Sequence, residues 1–418
     1  MLTKITNVRV FDGERVVPST TVIFDHPYII SIGENDDVPD GGQVIDGSGM
    51  TLLPGLIDSH VHTKIENLQL ALQFGITTEL EMMGHWTPEQ RREIEERNDV
   101  ADLRTAEFGL TAPGGHPSEL HSKVGPPPGK PRGPPPSAGP GHKHPPARFV
   151  APTASTPQEA VQFVKDRVAD GADYIKIMIE EGSVLESPGL PLLPKETLAG
   201  AVTEAHRNGK LVVAHVLTAD ATLQAIEVGA DGLAHLFLDQ PHTTTVVESI
   251  ASAGAFVTPC LVLNSSIMGK APTAFASDER VRAKLSPPWI KTLNSSFNTF
   301  PEGKFQDCLD TVLALHKAGV DILAGTDVSV PVPELGGLAH GASVHHELQL
   351  LVEAGLSATE ALRAATSVPA RRFGLNDRGK VGKGLLADLV LVDGDPTTTI
   401  TDSLNVRGVW RRGVKLEV

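Results

Sequence analysis

Met50-Thr51-Leu52-Leu53-Pro54-Gly55-Leu56-Ile57-Asp58-Ser59-His60-Val61-His62 is an apolar, strand-like run ending in two histidines one residue apart. Alternate residues of a strand share a face, so both imidazoles can reach one metal ion at the strand's end. A His-Xaa-His pair also arises by chance as a plain polar pair. Its weight therefore depends on what the later strand ends supply.

After this run, the middle of the chain alternates strand-like and helix-like stretches. Apolar or β-branched runs near 76–83, 105–110, 173–178, 211–216, 231–236, 256–263 and 320–326 follow the first at 55–60, giving eight. Helical patterns stand between several of them, including Pro157 to Ala169, Lys195 to Arg207 and Phe305 to Ala318, the last followed by Gly319 as a stop. Eight strands alternating with helices predict an α/β fold, a (β/α)8 TIM barrel over 57–372, with reactive residues at the C-terminal ends of the strands. Residues 113–147 interrupt the pattern with twelve prolines and seven glycines, which predicts a long loop that could cover the barrel mouth. It carries His116, His121, His142 and His144, and the basic Lys123, Lys130, Arg132 and Lys143.

The two ends of the chain read differently. Residues 1–56 alternate apolar and polar positions over short stretches broken by Asp12-Gly13-Glu14, His26-Pro27 and Asp40-Gly41-Gly42, and residues 373–418 do the same. Both ends are expected to pair into one small β-sandwich domain.

A formal charge of -15 argues against nucleic acid or an anionic membrane as partner, and no apolar run of about twenty residues could span a bilayer. Cys260 and Cys308 are the only cysteines, far apart and without metal-binding spacing. With the N-terminus starting directly in a strand pattern, this predicts a reducing, cytoplasmic setting.

The later strand ends carry the chemistry. Lys176 sits in the apolar strand Tyr174-Ile175-Lys176-Ile177-Met178. Burying an ammonium is costly, so its pKa falls and a neutral amine becomes available; carbon dioxide converts such an amine to a carbamate able to bridge two metal ions. A lysine snorkelling to the barrel rim is the alternative. Strands five and six end in His215 and His235, and the eighth ends in Asp327, a carboxylate too costly to bury unpaired. Strand seven, Val257-Thr258-Pro259-Cys260-Leu261-Val262, is expected to shape the pocket without offering a ligand.

This set resembles the metal-dependent amidohydrolase superfamily. The matching residues are Pro54 through His62, Lys176, His215, His235 and Gly325-Thr326-Asp327, with a tail through Ala387-Asp388-Leu389-Val390 similar to the branch of prolidase-like carboxypeptidases, ochratoxin-degrading amidohydrolases and imidazolonepropionase-like proteins. The resemblance implies a barrel flanked by a small β-sandwich and a binuclear centre, usually zinc. His60, His62 and Asp327 would bind the more buried ion and His215 and His235 the more exposed one, with carbamylated Lys176 bridging both.

It further implies hydrolysis of a carboxamide C–N bond in a small molecule, such as an N-acyl amino acid, a dipeptide or a mycotoxin amide. The attacking hydroxide is shared between two cations, which lower the pKa of water from 15.7 to about 7. Asp327 acts first as base and then as acid toward the departing amine. Cyclic amides, lactones and phosphotriesters are rival substrates, and a ligand-free scaffold is the non-enzymatic rival. Gly114-Gly115-His116 resembles that branch's substrate-contacting segment, so His116 is expected to touch the substrate carbonyl or carboxylate. Leu217 stands where the branch often has tyrosine, which suggests a more apolar pocket. Val328, after Asp327 at the rim, is a third expected contact. Glu180 and Glu181 are expected to face solvent, and His345 and His346 to be surface or packing residues rather than ligands. A homo-oligomer is expected because barrels of this kind often pair through their outer helices.

Overall fold

Short alternating strands with one apolar face must bury that face, and the two chain ends do so in a shared sheet. In the computed structural model, which describes residues 2–33, 42–120 and 152–417, strands β1 (Thr3–Phe11), β2 (Val16–Asp25), β3 (Tyr28–Ile32), β4 (Gln43–Asp46) and β5 (Met50–Pro54) join β13 (Leu389–Asp393), β14 (Val406–Arg411) and β15 (Val414–Lys415). The order is β15-β14-β13-β5-β1-β2-β3, with β4 also on β1. β1 forks: Thr3 to Thr6 pair with β4, whereas Arg9 and Val10 pair with β5. The sheet also curls. Phe24 on β2 meets Trp410 on β14 edge-on at 5.5 Å although three strands lie between theirs, and both belong to one buried cluster with Ile5, Leu52 and Leu391.

Beyond β5 the fold is mixed α/β with parallel sheets. β6 (Leu56–Val61), β7 (Ile76–Glu81) and β8 (Asp102–Thr105) form one; β9 (Ile175–Ile179), β10 (Val212–Val216), β11 (Gly232–Ala234) and β12 (Phe256–Thr258) form another. Three parallel bridges, Leu110 to Ile177, Val257 to Ile322 and Val61 to Val328, link these runs onward. Ile57, Leu80, Ala106, Tyr174, Val213, Ala234, Phe256 and Leu323, drawn from or beside eight successive runs, belong to one buried cluster.

Two strand expectations need correction. The third strand ends at Thr105, and of the expected 105–110 run only Leu110 bridges onward. The 320–326 run does not form a continuous strand, because its hydrogen bonds are divided among neighbours: Leu323 N donates to Val257 O, Ala324 N to Ala364 O, and Ala324 O accepts from Ser59 N.

The helices follow local signals. Pro157–Ala169 opens with a Thr156/Glu159 capping box and proline in its first turn. Lys195–Arg207 and Phe305–Lys317 supply two more, with Gly319 after the latter at φ +81°. Among the described residues no helix is long and apolar enough to cross a membrane. His121, His142, His144, Lys123, Lys130, Arg132 and Lys143 lie outside the described residues, and with them most of the expected covering loop.

Candidate metal centre

The end of β6 is tied to the segment carrying Asp327. Asp58, fully buried, accepts from Thr326 Oγ1 at 2.7 Å, from Thr326 N at 3.1 Å and from His60 N at 3.2 Å. His60 O in turn accepts from Asp327 N at 2.7 Å. Gly325 permits this approach, because a Cβ there would lie 2.4 Å from Thr258 Cγ2 and 3.0 Å from His60. Asp327 (φ 60°), His235 (φ 72°) and Cys260 (φ 50°) all adopt the left-handed backbone, a strained conformation that clusters at functional sites.

Asp327 is the meeting point. Its Oδ1 lies 2.9 Å from His62 Nε2 and 3.1 Å from His60 Nε2, and its Oδ2 lies 3.9 Å from His235 Nε2. The His60 and His235 rings are 4.6 Å apart, and His235 meets the His215 ring at 4.7 Å. Lys176 enters from β9 and is 1% exposed, and its Nζ makes no hydrogen bond. Together these six line one cavity.

Burial sets the protonation of the group. It lowers His60 to about 3 and holds His215 and His235 well below an ordinary imidazole, which leaves them neutral, the form that binds metal. Burial would lower His62 as well, but its hydrogen bond and charge pairing with Asp327 outweigh this and raise it. Burial would raise Asp327, yet His60 and His235 beside it hold the carboxyl well below its usual range. The Lys176 amine is pushed down by burial to about 8.

This donor set fits a divalent metal. Neutral imidazoles and an ionised carboxylate are the ligands zinc takes, and the ligand atoms of His60, His62 and Asp327 lie within 4.8 Å of one another. The buried Nζ of Lys176 and Nδ1 of His60 and His235 lack hydrogen-bond partners. Unpaired buried polar atoms are costly unless something else engages them.

Comparison with known proteins decides the family. The amidohydrolase family model matches residues 140–416, more than half of the chain. The chain belongs to the amidohydrolase family. It is thus a hydrolase acting on C–N bonds, in a family that is generally metal-dependent. It is 25% identical over 394 residues to a 5-methylthioadenosine/S-adenosylhomocysteine deaminase of Pelotomaculum thermopropionicum, covering 87% of this chain and 78% of that one. It is 26% identical over 265 residues to an ochratoxinase of Aspergillus niger, covering 61% of this chain and only 48% of the relative. Among solved structures, a Xaa-Pro dipeptidase with bound methionine superposes with a TM-score of 0.73 at 22% identity, each chain covered fully. The A. niger ochratoxinase superposes with a TM-score of 0.71 at 20% identity, covering 99% of this chain and 94% of that one. At these identities the superpositions establish a shared fold.

This amidohydrolase places the other expected residues unequally. Leu217 and His116 line the cavity. His116 is 8% exposed, its Nδ1 lies 2.6 Å from Glu119 Oε1, and its ring lies tilted by 31° against that of His215 with centroids 4.5 Å apart. Val328 does not reach the cavity: it is 1% exposed and bridged to Val61, with its carbonyl accepting from His62 N, and Ser329 lines the space instead. Glu180 does not face solvent. It is 2% exposed, with Oε2 3.2 Å from His215 Nε2 and Oε1 accepting from Gly182 N at 2.7 Å. Burial raises its carboxyl above the ordinary value. Cys260 is also closer to the centre than expected, its Sγ lying within 4.8 Å of ligand atoms of His60 and His235. Of the two places expected for His345, packing or surface, it takes packing: it is fully buried between Phe74 O at 2.8 Å and Ser403 Oγ at 2.9 Å.

Proposed function

We propose that this amidohydrolase is a binuclear metal-dependent enzyme that hydrolyses a carboxamide C–N bond of a small molecule. The observation that carries the reading is the convergence of His60, His62 and His235 on the Asp327 carboxylate, beside a buried Lys176 amine with no hydrogen-bond partner. His60, His62 and Asp327 would hold one ion and His215 and His235 the other, with Lys176 as a carbamate between them. When bound, such ions polarise a carbonyl and make water a nucleophile at neutral pH.

The chain's own groups supply the proton traffic. Asp327, kept ionised despite burial, takes the proton that the attacking water loses and returns it to the departing amine nitrogen. Leu217 and its apolar neighbours exclude water around the scissile bond. The parallel bridges and the eight-run buried cluster support a closed barrel with these groups at one mouth. Cys260 and Cys308, both free and buried, are in keeping with a reducing, cytoplasmic setting.

A second reading, hydrolytic deamination, is favoured by the alignment with the deaminase over 87% of the chain. Elemental analysis of protein purified without chelator, paired with a panel of amides, lactones, phosphotriesters and 5-methylthioadenosine, tests both readings. Two equivalents of metal and amide turnover are expected. Ammonia release from 5-methylthioadenosine alone would favour the deaminase, and absence of metal and of activity after metal addition would sink both.

A further inference from the structure

We infer that the recess beside the metal centre, lined by Lys64, Ile65 and Trp86, is a second substrate subsite, so that the enzyme acts on a two-armed carboxamide whose scissile bond lies where recess and centre meet; this rests on the hydrolase reading and names its substrate class. Bounded by the described residues, the cavity at the centre has a volume of about 90 Å³. Pockets that enclose a small-molecule ligand run to roughly 300–1,000 Å³, and part of the central space would go to the proposed ions. A substrate must therefore extend out of it. The adjoining recess has a volume of about 510 Å³ and shares His62, Met83 and Ser329 with the central cavity, so the two spaces meet at a candidate metal ligand.

The wall between them is firmly held. Met83-Gly84-His85-Trp86, following β7, is fastened by two buried carboxylates that take no part in the proton transfer. Met83 N donates to Glu81 Oε1 at 2.8 Å, and a Cβ on Gly84 would come within 2.7 Å of the same oxygen. Glu107 O accepts from Gly84 N at 3.1 Å, and Glu107 Oε2 accepts from Trp86 N at 3.3 Å and lies 3.0 Å from His85 Nδ1. Glu107 is fully buried and sits in the left-handed region at φ 55°, backbone strain of the kind that collects at ligand sites. Met83 O also lies 3.2 Å from Nδ1 of His62, whose Nε2 faces Asp327. One histidine thus joins the metal centre to the recess wall. One apolar arm of the substrate packs against Met178, Leu185 and Leu217 over the centre, and the other against Ile65 and Trp86 in the recess.

The test uses zinc-loaded full-length protein and a matched pair, N-acetylbenzylamine and N-(3-phenylpropanoyl)benzylamine, which differ by one phenyl-bearing arm. The two-armed amide is expected to have the higher kcat/KM by roughly 10- to 100-fold, the scale set by burial of one phenyl-sized group. Lys64→Trp puts an indole into the recess from an exposed position whose side chain makes no helix-capping bond, and should narrow that gap. Equal or slower hydrolysis of the two-armed amide, or a gap unchanged in Lys64→Trp, would overturn the inference. Calorimetric titration of zinc-loaded Asp327→Asn reads the same preference without turnover, tighter binding of the two-armed amide supporting the subsite and equal affinity overturning it. A protein that binds the two-armed amide more tightly but hydrolyses nothing on the wider panel would fail as a hydrolase while keeping the subsite; turnover of the panel with no gain from the second arm would do the reverse.

Discussion

Glu180 Oε2 lies 3.2 Å from His215 Nε2. A carboxyl at one ring nitrogen orients the imidazole and leaves Nδ1 as the nitrogen available to an ion. Loss of such a partner typically costs 10–100-fold in metal affinity or activity. Glu180→Ala should therefore lose about one of two metal equivalents under chelator competition, and kcat/KM should fall by about 10- to 100-fold. A variant with a lower Tm but unchanged metal affinity would assign Glu180 a packing role only.

Asp327→Asn keeps a side chain of the same shape between His60 and His62 but cannot take a proton. Circular dichroism should match the parent protein, while kcat drops by about 10² to 10⁴. Turnover at the parent rate would remove Asp327 from proton transfer.

Carbamylation requires the neutral Lys176 amine, whose fraction grows as pH rises through about 8. Activity should vanish when a chelator strips the metal, and recovery with added metal should be faster with bicarbonate than without it. Lys176→Ala should recover no better with bicarbonate. Identical recovery of the parent protein in carbon dioxide-free buffer would reduce Lys176 to a structural lysine.

Asp102 ties the middle of the chain to its end. It is buried against Arg378, and its Oδ1 lies 3.1 Å from Arg411, which also pairs with Asp388 at 3.0 Å. Burial would raise the Asp102 carboxyl, but Arg378, Arg411 and Arg104 outweigh it and hold the group well below its usual range. A depressed carboxylate contributes stability above its unfolded pKa of about 3.9, and that contribution is lost as pH falls toward the folded value. Thermal scans should show Tm falling steeply below about pH 4 in the parent protein. Asp102→Asn should be less stable at pH 7, by about 3–5 kcal/mol for a broken buried pair, with a lower Tm that falls less steeply in acid. Parallel curves would mean that other carboxylates govern acid unfolding.

The candidate ligands were legible because each lies in or at the end of a strand-like run. His60, His62, His215 and His235 can be found by following apolar stretches to their ends, Lys176 as the one charged residue inside an apolar strand, and Asp327 by the Gly325-Thr326 before it. Glu180 also left a signal that was open to use: counting by twos from Lys176 through Met178 places it on the same strand face. The pairing of His116 with Glu119 left none, since three residues of separation in a loop do not specify a contact. Val328 misled for the opposite reason. Its position beside Asp327 suggested the cavity, but the bridge to Val61 turned it inward.

By itself the sequence determined the alternation of strands and helices, the pairing potential of the two ends and the residues able to bind metal. Those properties are local: they depend on periodicity, turn residues and side-chain chemistry within a few positions. Only the tertiary structure decided that Glu180 backs His215, that Glu119 occupies His116, and that Ser329 rather than Val328 faces the cavity. Each of those contacts is set by strand register or by the path of a loop between elements, and no short stretch of chain encodes either.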